Sequence, residues 1–298
     1  MNKEIVSHRF MAIQDKICSG LESFDGGKFR EDNWSREGGG GGRSRVISSG
    51  GVFEKGGVNF SAVHGAIPPF MKSEGMLSGS GANDFFATGV SLVLHPENPF
   101  LPIVHMNVRY FETDNGLWWF GGGIDLTPVY LFEEDARDFH RVLKSVCDTH
   151  NSEFYPAFKK NADDYFFIPH RGETRGIGGI FFDRMNEASG MNFEKAFAFV
   201  ADVGEAFLSS YLPLLERRKG KEYTQNNKDW QLLRRGRYVE FNLVLDRGTR
   251  FGLETGGRTE SILMSLPPLA KWEYDFRCEP GSPEEFTLKN LVKGKSWV

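Results

Sequence analysis

Residues Trp118 to Pro128 read Trp-Trp-Phe-Gly-Gly-Gly-Ile-Asp-Leu-Thr-Pro, and no other stretch restricts the fold of this chain as strongly. Two tryptophans and a phenylalanine offer a large apolar area for burial. Three glycines in succession lose more conformational entropy on ordering than any other triplet, so something must offset that loss. The usual return is a backbone that passes close to another group or turns through positive φ. The pattern predicts a strand, a glycine turn, and Asp125 at the far lip. Thr127-Pro128 then breaks the strand, and Glu133-Glu134-Asp135 opens a helix. Asp125 is either the cap of a tight turn or an acid held at a site, and this stretch alone leaves both open.

The strand predicted over Ile103 to Phe111 carries the clearest alternation. His105, Asn107 and Arg109 fall on one face, with Val104, Met106, Val108 and Tyr110 on the other. An antiparallel sheet exposed to solvent on one side also alternates. Exposed faces favour Lys, Glu and Thr, however, so His, Asn and Arg together point to the floor of a cleft. In the strand predicted over Asp84 to Leu94, Ser91, Val93 and His95 share a face. Tyr238 to Asp246 repeats the pattern: Val239, Phe241, Leu243 and Leu245 oppose a polar set ending in Asp246.

Elsewhere Val6, Phe10, Ile13, Ile17 and Leu21 recur at helical spacing and predict an amphipathic helix ending near Asp25-Gly26-Gly27. Gly38 to Gly42 sit in a polar tract with no Gly-Lys-Ser/Thr ending, so the tract reads as a flexible loop or lid rather than a phosphate cradle. Val46 to Val63 reads as two strands turning at Gly56-Gly57. Helices are predicted over Glu133 to His150, Asn192 to Leu215 and Pro283 to Lys293, with a short one at Trp230 to Leu233 and another from Glu260 to Pro267-Pro268. Trp272 to Phe276 reads as an edge strand. The order predicts an α+β fold, residues 1–298 forming a single domain with a large, mostly antiparallel sheet covered by helices.

Composition excludes several classes. Of 298 residues 14% are aromatic, and the net charge of −4 offers no global field for nucleic acid. Cys18, Cys147 and Cys278 are widely spaced without a C-x-x-C pair, which argues against a disulfide framework and for a reducing compartment. No apolar run reaches the ~18 residues of a membrane span. The N-terminus lacks the charged-then-apolar layout of a signal peptide. A cytoplasmic protein without a transmembrane segment is the expectation.

The polar positions collect acids (Asp125, Asp246), arginines (Arg109, Arg171, Arg175, Arg247, Arg250, Arg258) and histidines (His95, His105, His140, His170). Arginines read carboxylates or phosphates bidentately, and acids beside an aromatic pocket can act as bases. The histidines are either a metal set or hydrogen-bonded packing groups; the H-E-x-x-H spacing is absent. A histidine-metal-dependent oxygenase and a non-catalytic binder of polyanions, through Arg234-Arg235-Arg237, are the alternative classes.

Trp118 to Pro128, His170 to Phe182 (HRGETRGIGGIFF) and Arg234 to Gly248 (RRGRYVEFNLVLDRG) resemble the oxygen-dependent coproporphyrinogen III oxidases, as do Gly38 to Gly65 and Gly257 to Pro268. The likeness runs nearly end to end. The loop between Tyr110 and Trp118 is shorter than in some relatives, and position 250 is Arg where others have Lys. The resemblance implies oxidative decarboxylation of two propionates of coproporphyrinogen III to vinyls. Protoporphyrinogen IX forms in haem synthesis, O₂ is the co-substrate, CO₂ and H₂O₂ are released, and no organic cofactor takes part. It implies a homodimer around a flat antiparallel sheet with helices on both faces, with dimer contacts in Tyr238 to Glu273. It places the proton donor at His105 and substrate contacts at Ser91, at Asn107, Val108 and Arg109, and at Gly256, Gly257 and Arg258. Family arginines fall on Arg109, Arg171 and Arg175, and family acids on Asp125 and Asp246. Proposed ligands of a divalent metal fall on His95, His105, His140 and His170. A puckered tetrapyrrole with four propionates suits arginines at a rim. On this reading Asp246 accepts a pyrrole N–H, Asp125 holds the opposite N–H groups, and Arg109 holds the reacting carboxylate.

Overall fold

The stripe Val6, Phe10, Ile13, Ile17 and Leu21 is the buried side of helix α1 (Lys3–Asp25). At the end of α1 the Asp25 carboxylate accepts N–H bonds from Gly27, Gly51, Val52 and Phe53, which fixes the helix to the turn after β2. These features come from a computed structural model, which describes residues 3–73, 77, 79–254 and 256–298.

Six strands follow, β1 (Arg30–Ser35), β2 (Gly40–Ser48), β3 (Phe53–Ala66), β4 (Asp84–Pro96), β5 (Ile103–Thr113) and β6 (Trp118–Thr127), with a short helix α2 (Pro69–Ser73) between β3 and β4. Helices α3 (Glu133–His150) and α4 (Phe154–Tyr165) and the small hairpin β7 (Phe167–Ile168) and β8 (Glu173–Thr174) lead to β9 (Gly179–Met185). Then come α5 (Phe193–Glu205), α6 (Phe207–Arg218), α7 (Gln225–Glu240), a π-helical turn (Phe241–Leu245), α8 (Arg247–Glu254), α9 (Thr259–Leu263) and α10 (Pro283–Asn290). The main sheet has seven strands in the order β1-β2-β3-β4-β5-β6-β9, every neighbouring pair antiparallel. The fold is α+β, as the sequence predicts.

Strand alternation sorts the residues. Val58, Phe60, Val90, Leu92, Leu94, Val104, Met106, Val108, Ile124, Ile180 and Phe182 share one core cluster with α1, α3, α5 and α6. The opposite face meets α7, the π-turn and the α9 region. Val93 and Ile103 pack on Tyr238, a Cβ at Gly57 would strike Met264, and the Asn59 amide donates to the Ser261 carbonyl. The sheet therefore has helices on both faces.

Several local expectations are corrected. Gly121 to Gly123 do not turn: β6 runs unbroken through them. The triplet is small because neighbours press on it; a Cβ at Gly122 would lie 2.5 Å from the Asn107 carbonyl, and one at Gly123 2.7 Å from that of Ile180. Gly38 to Gly42 form neither lid nor loose loop. They make the β1–β2 hairpin turn and the start of β2, where Gly39 and Gly40 take φ of 114° and 79°, and a side chain on Gly42 would collide with the Trp34 ring. Gly56 and Gly57 lie inside β3, not at a turn. The helix predicted over Asn192 to Leu215 divides at Ala206. By length and composition alone Phe193–Arg218 could cross a membrane, but 61% of its apolar 18-residue window is buried in the fold, as in a core helix. Trp272 to Phe276 is irregular and crosses α7 where Gly236 lets the Lys271 carbonyl approach.

The largest correction is Tyr238 to Asp246, which is the end of α7 and a π-turn rather than a strand. Its buried side is Arg234, Arg235, Tyr238, Phe241 and Asn242, at helical spacing. Two of those residues are arginines, neutralised by Glu173 and Glu54, so a hydrophobic pattern misses the stripe. Leu243 and Val244 are 45% and 59% exposed, which removes the alternation that suggested a strand.

Candidate active site

Antiparallel register lines up the polar face of the sheet. Asn59, Ser91, Asn107 and Gly123 stand side by side across β3 to β6, and Val93, His105 and Asp125 form the next row. Gly89, Arg109 and Gly121 form the row on the other side. His105, Asn107 and Arg109 thus share one sheet face, as alternation predicts, and glycines stand beside them on β4 and β6.

His105 and Asp125 are direct cross-strand partners, and His105 Nδ1 lies 2.8 Å from Asp125 Oδ1. Asp125 is 1% exposed. Arg175 Nη2 donates to both of its oxygens at 2.8 Å, while Arg175 Nη1 donates to Asn242 Oδ1 at 2.9 Å. Phe166, Tyr238 and Phe241 surround the guanidinium, with ring centres at 4.3, 4.8 and 4.6 Å. Burial pushes the Asp125 carboxyl up, but Arg175 and His105 outweigh it and hold its pKa below the ordinary carboxylate value. An ionised carboxylate can only accept, so His105 donates to Asp125 from Nδ1. Asp125 is therefore buried between these two partners and anchors the His105 ring through Nδ1. Arg175 is no rim arginine: its charge is consumed by Asp125.

Asp246 follows the π-turn and caps α8. Its Oδ2 accepts the Thr249 N–H at 2.6 Å and its Oδ1 accepts the Tyr165 hydroxyl at 2.7 Å. Burial raises its pKa, yet these two hydrogen bonds and the nearby Arg175 bring it below the ordinary value, so it stays an anion. Burial also pushes the Tyr165 hydroxyl up to about 12, which keeps it a donor. The Tyr165 ring stacks on Phe181 at 4.2 Å, and Phe166 meets His105 edge-on at 6.2 Å. The dipeptide Tyr165-Phe166 therefore joins the Asp246 and His105 sides of one wall.

Arg109 lies half-exposed over Gly121, donating from Nη1 to Asn107 and from Nη2 to Asp183, both at 2.9 Å. Ser91 is beside Asn107 on the same face. Val108 points the other way, into the core, as alternation requires, so its side chain cannot touch a ligand in the cleft. Arg171 is bound bidentately by Glu240, which also accepts from His170 and Trp272. Burial raises the Glu240 pKa, but Arg171 and His170 bring it down to about 2. Arg258 pairs with Asp32 of β1, and Gly257 and Gly256 lie in the turn just before it. Arg258 thus reaches across β2 from the α8–α9 turn, while Arg171 stands at the β7–β8 hairpin.

The four histidines do not converge on one site. His95 bonds the Ser265 carbonyl at 2.9 Å and His140 bonds Tyr155 and the Ile177 carbonyl at 3.0 and 3.1 Å; burial pushes both down to about 3, so both are neutral packing groups. His170 is held by Glu240 and His105 by Asp125. Among the described residues no group of three or more His, Cys, Asp or Glu is placed to hold a metal.

Asn59, Tyr165, Asp183, Glu240 and Asn242 belong to the wall or floor, and sequence reasoning gave them no role. For Asp183 a signal was present: it follows Gly179 and Phe181 at period two in β9. Tyr165 carries no such pattern, because its position over the sheet is set by α4.

Residues 5–297 match the family model described as Coproporphyrinogen III oxidase, and the chain belongs to that family. It is accordingly an enzyme of haem and porphyrin biosynthesis with a tetrapyrrole substrate.

Proposed function

We propose that this family member is the oxygen-dependent enzyme, converting two propionates of coproporphyrinogen III to vinyls and giving protoporphyrinogen IX. The observation that carries the reading is the shared sheet face, where Arg109 and the His105 of the His105–Asp125–Arg175 chain both project from β5, and Asp246 is held by Tyr165, whose ring stacks on Phe181 of β9.

Each turnover removes a carboxyl as CO₂ and a hydrogen with two electrons from the adjoining chain. O₂ takes the electrons and becomes H₂O₂, so one proton is consumed per propionate. The electron-rich pyrrole supplies electrons to O₂ directly, so the scheme calls for no organic cofactor. Arg109 binds the reacting carboxylate, the guanidinium fork matching its two oxygens. Asp246, anionic and half-buried, accepts inward pyrrole N–H groups and assists their deprotonation. His105, oriented through Nδ1 by Asp125, delivers the consumed proton from Nε2. Arg171 and Arg258 meet outer propionates when their pairs with Glu240 and Asp32 exchange. Leu243, Val244, Phe251 and Trp272, exposed within Tyr238 to Glu273, support a homodimer through this region. The three cysteines, all free, support a reducing, cytoplasmic setting.

The test is anaerobic mixing of chelator-treated protein with coproporphyrinogen III, followed by air. Two CO₂ and two H₂O₂ per substrate, with vinyl product by mass, are expected. Activity only after a divalent metal is restored would refute the metal-free scheme, and no turnover in either case would refute the oxidase reading.

A further inference from the structure

The Arg109–Asp183 pair is built into the sheet. Register between β6 and β9 shifts between Phe120 and Gly122: Gly122 faces Phe182, whereas Phe120 faces Met185. The extra residue is taken up at Asp183-Arg184, where Arg184 adopts φ of 52°. Such a bulge re-aims a side chain, here turning Asp183 over β6 toward Arg109. Beneath the pair lies Gly121, at which a Cβ would sit 2.7 Å from Asp183 Oδ1 and 2.9 Å from Arg109 Nε. Asn107 holds the other terminal nitrogen, so the guanidinium stays in place whether or not Asp183 is bound. Both charged side chains remain open to solvent, at 37% and 39% exposure.

We propose that Asp183 is the resting counter-ion of Arg109, displaced by the substrate carboxylate on binding and restored when that carboxyl has left as CO₂. The inference rests on the role given to Arg109 above. The reaction destroys the anion that Arg109 holds: a carboxylate enters and a neutral vinyl remains. Without a second anion the guanidinium would stand unpaired beneath an apolar ring. Asp183 fills that position, which favours release of the vinyl group and resets the site for the next propionate. It also makes the site selective, because an uncharged substituent cannot replace a carboxylate on Arg109. Asp183 touches no reacting atom; it is a specificity and positioning residue.

Coproporphyrin III, the unreactive oxidised tetracarboxylate, is titrated into the full chain by fluorescence. Asp183→Asn is expected to lower its Kd about two- to five-fold, or roughly 0.4–1 kcal/mol at about 1.4 kcal/mol per decade. Asp183→Glu, which keeps the charge, is expected to behave as the wild type. The Asp183→Asn effect is expected to vanish in an Arg109→Gln background and with the tetramethyl ester. In turnover KM and kcat fall together, because substrate binds tighter and product leaves more slowly. An unchanged or raised Kd, or equal tightening in the Arg109→Gln background, overturns the exchange and leaves the oxidase reading standing. If the wild-type protein binds no coproporphyrin, both fall.

Discussion

Replacing Arg175 with methionine tests the electrostatic account of the site. Asp125 is 1% and the Arg175 side chain 2% exposed, so the substitution strands a carboxylate in the interior with only His105 beside it. Removing one member of a buried pair costs about 3–5 kcal/mol, because the survivor is desolvated without compensation. Methionine fills much of the volume among Phe166, Tyr238 and Phe241, so packing loss is the smaller part. The double substitution Arg175→Met with Asp125→Asn should recover much of the deficit, with a coupling of about 2–3 kcal/mol in a double-mutant cycle. Urea unfolding followed by circular dichroism measures each corner of the cycle. The dependence on pH fixes the cause. In the wild type the Asp125 pKa is depressed; its stabilisation is full above the unfolded value near ~3.9 and fades as pH falls through the folded value. In Arg175→Met burial dominates and the pKa rises, so protonation favours the folded state as pH drops. The deficit should therefore narrow between pH 7 and pH 4.5. A deficit below about 1 kcal/mol, or one independent of pH with no coupling, would refute the reasoning.

Asp246→Asn keeps an acceptor for Thr249 but turns an amide N–H₂ toward the Tyr165 hydroxyl, so Tm should fall modestly while kcat falls about 10²-fold or more; wild-type kcat would remove Asp246 from the mechanism. His105→Asn should lower kcat by about 10²–10⁴-fold while leaving coproporphyrin Kd within about two-fold, read by steady-state kinetics and fluorescence titration. Gly121→Ala meets the movable ends of Arg109 and Asp183, whereas Gly122→Ala meets the Asn107 carbonyl and the Phe182 ring. The first should raise KM with a modest loss of stability and the second should chiefly lower Tm, and the reverse order would contradict the packing described.

Much of the sheet was legible locally. A strand repeats every two residues, so the order of side chains in Ile103 to Phe111 already separated His105, Asn107 and Arg109 from Val108 and the core. The amphipathic helix α1 was equally plain, as was α3. The same rule failed where partners rather than hydrophobicity set burial. Arg234 and Arg235 are interior because Glu173 and Glu54 neutralise them, and neither acid is near them in sequence. The β1–β2 hairpin looked like a loop because edge strands carry charges, here Arg45 beside Glu31, and its glycines serve Trp34 and the turn.

By itself, then, the sequence determined the family, the α+β class, the polar face of the sheet and the residue types gathered there. Only the tertiary structure decided what each residue is free to do. Asp125 and Asp246 are the same acid in the sequence. One is closed between Arg175 and His105, and the other is half-buried at a helix N-terminus beside Tyr165. Which arginine is spent on a neighbouring carboxylate, and which remains open to a ligand, depends on partners 50 to 226 positions away along the chain. Coulombic pairing and desolvation act through space, so no local pattern encodes them.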